Sequence, residues 1–110
     1  MAETLRILSQ LSPSANVLTD LYTVAVGKTC AVSSITICNC NGSSDITFSI
    51  SLAVGGAVDE VKQYLYFDLP MENNDTFIAT IGVTLGATDV IRVKSSLSNV
   101  SFQCFGIEVT

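Results

Sequence analysis

The chain has 110 residues, close to the commonest size of a single domain, and combines 48% hydrophobic with only 14% charged residues. Its net charge is −5 and its five basic residues are spread singly, so no basic cluster is present that would bind nucleic acid. Its apolar runs are only a few residues long, which excludes a membrane-spanning helix. Such low charge is typical of a protein packed against other protein, and it fits equally a soluble β domain faced by its 13 Ser and 11 Thr.

The N-terminal segment, residues 1–14, differs from the rest of the chain. It lacks the basic and continuous apolar segments of a signal peptide, so we expect synthesis in a cytosol, where thiols stay reduced. It places Leu5, Leu8 and Leu11 at three-residue spacing before a proline, which fits a short helix or an arm. An ordinary element of its own domain and a disordered end are the alternatives. We predict an arm whose three leucines bind a neighbouring subunit, followed by one domain over residues 15–110.

Beyond this segment, apolar and polar residues alternate as expected for antiparallel strands with one buried face. Ile46–Val54 and Thr76–Leu85 carry an apolar residue at every second position. The run Tyr64–Leu69 is bulky on both faces, with Tyr64 and Tyr66 predicted on the same one. A strand of this kind is covered on both sides, so the two tyrosines are further candidates for partner binding.

Turn signals separate these runs at intervals of roughly 10 to 15 residues, the spacing of a sandwich or barrel. The pair Asn41-Gly42 is a strong hairpin signal because both residues accept a positive φ. Ile, Val and Thr number 32 of the 110 residues, and their stiff side chains favour extended backbone. The predicted fold is all-β: an antiparallel, jelly-roll-like β-sandwich of about seven or eight strands.

The four cysteines, Cys30, Cys38, Cys40 and Cys104, raise the question of a metal or redox site. Cys38 and Cys40 form a C-x-C on a predicted strand, so both sulfurs should lie on one face. A structural zinc site usually takes two close pairs of ligands, and here the remaining cysteines are far apart and histidine is absent. We predict free thiols, no metal and no cofactor, with one disulfide or a metal site as alternatives.

Catalytic residues are not indicated either. Without histidine, the chain lacks the usual general base near neutral pH and the partner of a Ser or Cys nucleophile. Neighbouring carboxylates such as Asp59 with Glu60, or Asp68 with Glu72 and Asp75, lie at predicted turns, where acidic residues are ordinarily solvated. We expect no enzymatic activity.

The runs "LTDLYTVAVGKTCAVSSITICN", "YLYFDLPMENNDTFIATIGVTLGATDVIRVKSS" and "VSFQCFGIEVT" together resemble small virion proteins of tailed bacteriophages and prophages. The resemblance extends from Leu18 to Thr110. It implies a virion structural protein that is made in the cytoplasm of the bacterial host. We expect a head decoration or cement protein that binds the major capsid protein and forms a homo-oligomer, with a trimer favoured.

Two other functions remain open at this point. A tail, neck or fibre component would bind tail proteins and belongs to the same class as a head protein. A carbohydrate-binding sandwich belongs to a different class, and would use Tyr64, Tyr66 and the acidic turn of residues 72–75 to hold a sugar.

Overall fold

The computed structural model describes residues 3–110, which form eight β-strands in two four-stranded antiparallel sheets. The strands are β1 (Glu3–Leu11), β2 (Thr19–Thr23), β3 (Thr29–Asn39), β4 (Ile46–Ala53), β5 (Tyr64–Met71), β6 (Thr76–Leu85), β7 (Val90–Ser95) and β8 (Val100–Val109). Among the described residues, helix is limited to two 3₁₀ turns of three residues each, at Val54–Gly56 and Val61–Gln63. No helix in residues 3–110 is long and apolar enough to cross a membrane.

The strand order is β1-β8-β3-β6 in the first sheet and β2-β7-β4-β5 in the second. The chain passes between the sheets at nearly every connection, and only β4 and β5 follow each other within one sheet. This is the order of a jelly roll, in which two Greek keys are folded face to face. The predicted antiparallel sandwich of seven or eight strands is therefore confirmed.

The core lies between the inner faces of the two sheets, and the alternation of apolar and polar residues predicted most of the side chains that form it. Its largest fully buried side chains include Ile35, Ile37, Phe48, Ile50 and Phe102. Burying each such side chain contributes about 1.5–3 kcal/mol, so these two faces supply most of the stabilisation. The alternation predicted for Ile46–Val54 ends one residue early. Val54 is 79% exposed because it starts a 3₁₀ turn in which Gly55 has a φ of 63°.

The N-terminal segment, as far as the structure describes it, is part of the sandwich. Residues Glu3–Leu11 form the edge strand β1 and pair with β8 from Glu3↔Val109 to Leu11↔Phe102. The segment is therefore neither a helix nor an arm separate from the domain over the described residues. Its three-residue leucine spacing reflects a bulge at Leu8, which turns that side chain into the core. Docking of this strand on a neighbour stays a prediction.

The predicted faces of β5 require a correction. Tyr66 and Leu69 both pack against the core, although a regular strand would place them on opposite faces. The ladder with β4 shifts between Phe48 and Ile50, opposite Asp68, which has a φ of 48°. The extra residue reverses the alternation, and the Ser49 hydroxyl accepts the Asp68 amide at 2.9 Å to hold the bulge.

Candidate docking surface

The outer face of the first sheet is almost free of charge. Its four strands contain only three charged residues, Glu3, Arg6 and Glu108. Arg6 and Glu108 are bound to each other at 2.6 Å, which leaves Glu3 at one corner. We call the outward side chains of this sheet the uncharged face; they include Leu5, Ile7, Ala31, Ser33, Thr36, Cys38, Ile78, Thr80, Thr84, Gln103, Phe105 and Ile107. An exposed patch of this composition is typical of a surface that binds protein.

The uncharged face contains an open groove of about 480 Å³. It is lined by Leu5, Arg6, Ala31, Val32, Ser33, Gly82, Phe105, Gly106 and Ile107. The groove lies where the ladders on both sides of β3 are irregular. Against β8, β3 has an extra residue, Ser33, between the pairs that Val32 and Ser34 make. Against β6, two residues, Ile81 and Gly82, lie opposite Ser33. Bulges of this kind bend and twist a sheet, which explains why an otherwise flat face is concave here.

Gly106 is needed for this shape. A Cβ at this position would lie 2.2 Å from the Ala31 carbonyl oxygen, so any side chain would push β8 away from β3. Its neighbours Phe105 and Ile107 point outward into the groove. By allowing β8 to lie close to β3, Gly106 determines how far these two side chains project from the sheet. The groove is thus built by backbone approach as well as by apolar side chains.

The outer face of the second sheet is different, because the chain covers part of it. Arg92 of β7 donates hydrogen bonds to the carbonyl oxygens of Gly56 (3.1 Å) and Ala57 (2.6 Å), and to Asp20 at 3.2 Å. These contacts hold the loop between β4 and β5 over the sheet. Ser49 and Ser51 point to this side and are nevertheless fully buried.

One end of the sandwich is closed by an ionic cluster that joins the two sheets. Glu108 of β8 accepts hydrogen bonds from Arg6 of β1 at 2.7 Å and from the Tyr22 hydroxyl of β2 at 2.7 Å. The Tyr22 and Arg6 hydrogen bonds hold the pKa of the Glu108 carboxyl below its usual range. Burial and the carboxylate raise the pKa of Tyr22 well above its usual range. Every group has a partner, so the cluster stabilises the fold rather than offering a reactive site.

The other end is organised by Asn39, which lies between the two cysteines of the C-x-C. Its amide nitrogen donates to the carbonyl oxygens of Ser44 (3.0 Å) and Glu72 (3.1 Å), and its oxygen accepts two hydrogen bonds from Asn41. The side chain is fully buried and uses all four of its hydrogen-bonding positions. Asn39 thereby ties two loops to the end of β3, a role that sequence reasoning missed.

The cysteines occupy two environments. Cys38 and Cys40 lie on the outer side of the sheet with their sulfurs 3.7 Å apart, as the C-x-C spacing predicted. Cys30 and Cys104 are buried in the core, and burial raises the pKa of the Cys104 thiol to about 12. All four are free thiols in this structure. Within residues 3–110, no three Cys, Asp or Glu side chains converge as metal ligands would.

Three of the carboxylates singled out in the sequence, Asp59, Glu60 and Asp68, have ordinary partners. Asp59 accepts a hydrogen bond from the Tyr64 hydroxyl at 3.0 Å, and Glu60 pairs with Lys62 at 3.3 Å. Asp68 lies in the β5 bulge rather than at a turn. These contacts bind neighbouring segments of the chain to one another.

The predicted partner-binding residues do not form one surface. Leu5 is 77% exposed and lines the groove, whereas Leu8 is buried and Leu11 packs against the core.

The two candidate tyrosines lie in different surroundings. Tyr66 packs on Phe48 and Phe77 with ring centroids 6.1 and 5.6 Å away. Tyr64 instead contacts Phe67 edge to face at 5.1 Å. The two tyrosines therefore make no shared stacking platform for a sugar.

Sequence reasoning missed most residues of the uncharged face, although a signal was present. Along β8, Phe102 and Cys104 are buried, so the same two-residue period directs Glu108 inward. A charged residue at an inward position requires a buried partner. The outward positions of β3, β6 and β8 carry no charge, and Glu3 is the single charged residue at an outward position of β1. This depletion becomes visible once those strands are known to share a sheet.

Comparison with known structures shows the fold. The chain is similar to one from the T13 IBDV viral particle, with a TM-score of 0.53 and 8% identity, covering 96% of this chain and 30% of that one. It is also similar to a chain of the infectious bursal disease virus Gx strain, with a TM-score of 0.51, 9% identity and coverage of 97% and 31%. This chain thus spans about a third of the length of the structures it matches. No family model matches the sequence, and no curated protein matches it significantly.

Proposed function

We propose that this protein is a non-enzymatic structural component of a virus particle, and that it binds the particle through the uncharged face. The observation that carries the proposal is the face itself: a four-stranded sheet whose exposed side is apolar and hydroxylated, with a groove and almost no charge. Four strands about 4.8 Å apart and about ten residues long, at about 3.3 Å per residue, give a face of roughly 630 Å². A standard interface takes roughly 800 Å² from each partner, so this face would form most of one.

The fold and the sequence support a virion role from two independent directions. The two similar chains described above come from a virus, and jelly rolls recur in viral capsids. The sequence resembles small virion proteins of tailed bacteriophages along the run from Leu18 to Thr110. The finer proposal is a head decoration or cement protein that binds across subunits of the major capsid protein.

A cement protein needs no chemistry. A protein that binds only the assembled shell stabilises that shell by mass action, and many copies on a symmetric lattice act together. The uncharged face suits this role because charged groups at the centre of an interface have to be desolvated, whereas Ser, Thr and apolar side chains carry a smaller cost.

Quantitative mass spectrometry of purified particles tests the proposal. A head protein is expected on the order of hundreds of copies per particle, whereas a tail, neck or fibre protein is expected at about six to a few dozen, following the symmetry of each part. A low copy number would move the assignment to the tail. Absence from finished particles would contradict the virion role.

A matched pair of lysine substitutions tests the face. Thr36→Lys places a charge in the centre of the uncharged face on β3, and we expect it to abolish incorporation into particles. Thr47→Lys is the control, because Thr47 is equally half-buried and lies on the central strand β4 of the other sheet. Equal incorporation of the two variants, with unchanged unfolding midpoints, would show that the particle is bound elsewhere.

A further inference from the structure

Four strands lie at the edges of the two sheets, and three of them carry features that prevent pairing with another chain. β1 contains Glu3 and Arg6 and a bulge. β2 is only five residues long and also bulges. β5 contains a proline, Pro70, and the Asp68 bulge. Charges, bulges, prolines and short length are the devices by which natural sheets avoid edge-to-edge association.

The fourth edge, β6, lacks most of these devices. Its ten residues, TFIATIGVTL, include no charge and no proline. From Thr76 to Thr80 its ladder with β3 is regular, and the first irregularity comes only afterwards, around Gly82. This half of β6 is therefore a straight, neutral edge available to a further strand.

The side chains of β6 are also incompletely covered. Ile78 points outward and is 62% exposed. Phe77, Ile81 and Val83 point toward the core yet remain only half-buried, because no strand lies beyond them. A strand added at this edge would cover these side chains as well as satisfying the free backbone groups.

From this edge we infer that β6 pairs with β6 of a second copy of the chain, antiparallel about a twofold axis at Ile78. The regular half reads Thr76-Phe77-Ile78-Ala79-Thr80, which is nearly symmetric about its middle residue. Pairing about Ile78 sets each Thr76 opposite a Thr80, Phe77 opposite Ala79, and Ile78 opposite itself. Such β-branched and hydroxyl pairs stabilise antiparallel strands.

A second copy suits this edge better than an unrelated strand. Although each chain carries a net charge of −5, the ten residues of β6 are neutral, so the contact opposes no like charges. The same patch serves both partners, as a twofold contact requires. The contact gives a dimer rather than the expected trimer, and joins the two first sheets into one of eight strands. It does not depend on the virion role.

Sedimentation equilibrium of the purified full-length protein tests the contact. We expect a monomer–dimer equilibrium in the wild type. Ile78→Lys should raise the dissociation constant by about 100-fold or more, because two lysines would meet at the axis. Ile7→Lys is the matched control at the opposite edge of the same sheet, and it should leave the dimer intact.

A charge-complementation experiment guards against a trivial loss of folding. Mixing the Ile78→Lys and Ile78→Glu variants should restore a dimer, which a misfolded variant cannot do. Amide hydrogen exchange should show protection of β6 that rises with protein concentration. A wild type that stays monomeric at its highest soluble concentration, a trimeric mass, or equal disruption by Ile7→Lys would each overturn the β6 assignment.

Discussion

The two sheets of this sandwich treat their outer faces in opposite ways. On the second sheet, Arg92 holds the loop after β4 against the face, and the outer Ser49 and Ser51 are buried by the chain itself. On the first sheet no segment of the described chain serves this purpose, and Leu5 remains 77% exposed. The chain itself covers part of the outer face of the second sheet, whereas the uncharged face of the first sheet stays exposed; it is also called the open face below.

The difference shows that a low charge content is informative only once its location is known. Charged residues of the second sheet, Asp20, Asp68, Arg92 and Lys94, point outward or lie in a bulge. Two of the three in the first sheet neutralise each other. The open face is therefore depleted of charge well beyond the average of the chain, and depletion of this kind marks the centre of protein interfaces.

The largest loss of stability is expected from a substitution that changes the shape of the open face. Gly106→Ala would place a methyl group 2.2 Å from the Ala31 carbonyl oxygen, a backbone atom that cannot rotate away. We expect a loss of at least about 3 kcal/mol in the free energy of unfolding, since relief requires separating β8 from β3. Urea denaturation measures the change.

Gly82→Ala is the control for that substitution. Gly82 lines the same groove and has a φ of 56°, yet an added Cβ there meets nothing within 4 Å. We expect only the strain of the left-handed backbone, about 1 kcal/mol. Equal losses in the two variants would mean that close approach of β8 and β3 is not what shapes the groove.

The covered face should depend on one side chain. Arg92→Met removes the hydrogen bonds to Gly56, Ala57 and Asp20 while keeping much of the apolar stem. We expect a loss of about 2 kcal/mol, together with faster amide exchange in the loop between β4 and β5. Lys94→Met, two residues along the same face, should change stability by less than about 0.5 kcal/mol. Unaltered loop exchange in Arg92→Met would show that the loop is held by other contacts.

The regular parts of this fold could be predicted from the sequence, because they rest on a local period. Alternation along Ile46–Leu52 and Thr76–Leu85 predicted the inner faces of β4 and β6, and the turn signals predicted the number of strands. The faces of β5 could not be predicted in the same way. Extra residues at Asp68 and at Leu65 interrupt its ladder with β4, and each reverses the alternation. Asp adopts a positive φ more readily than most residues, but its residue type does not say that a bulge lies there.

The open face could be predicted only in part. Leu5 is exposed on this face, whereas Leu8 is buried, because β1 has a bulge at Leu8. In the sequence this bulge produces a three-residue leucine spacing that is also typical of a helix. That Ile78 and Phe105 share it depends on the order β8-β3-β6, which is non-local. Strand order determines which residues become neighbours, and a single chain carries no local signal for it.

The contact between the two sheets can be weakened by acid. The folded-state pKa of Glu108 is lowered by Tyr22 and Arg6, so its ionised form stabilises the fold. That contribution is complete above the unfolded pKa of 4.5 and is lost as pH falls through the lower folded value. Tyr22→Phe removes one hydrogen bond to the carboxylate, and we expect a loss of about 1.5 kcal/mol at pH 7 with a shallower acid dependence.

Unfolding by urea at several pH values between 3 and 7, a range set by the carboxyl titration, measures that dependence. Glu108→Gln should flatten the dependence further than Tyr22→Phe, because it removes the titrating group itself. If the wild type and Glu108→Gln lost stability in parallel as the pH fell, the ionic cluster would not be what couples the two sheets.

The smallest effects are expected at the thiols of the open face. Cys40→Ser and Cys38→Ser replace groups on the outer side of β3 and its end, so each should change stability by less than about 0.5 kcal/mol. Cys104→Ser is the inward counterpart on the same sheet. It places a hydroxyl in a fully buried apolar site and should cost about 1–3 kcal/mol. Thiol-modifying reagent should accordingly label Cys40 first, and Cys30 and Cys104 only on unfolding.

Substitutions of these cysteines also distinguish a face that binds protein without metal from a face that holds a metal ion. A bound metal would make the outward pair as costly to replace as the buried residue, because structural metal binding contributes directly to folding. It would also protect Cys40 from modification until a chelator was added. Cys38→Ser and Cys104→Ser could instead lower the free energy of unfolding equally, and the purified protein could contain stoichiometric metal. These two results together would contradict the proposal that the face binds through apolar and hydroxyl groups alone.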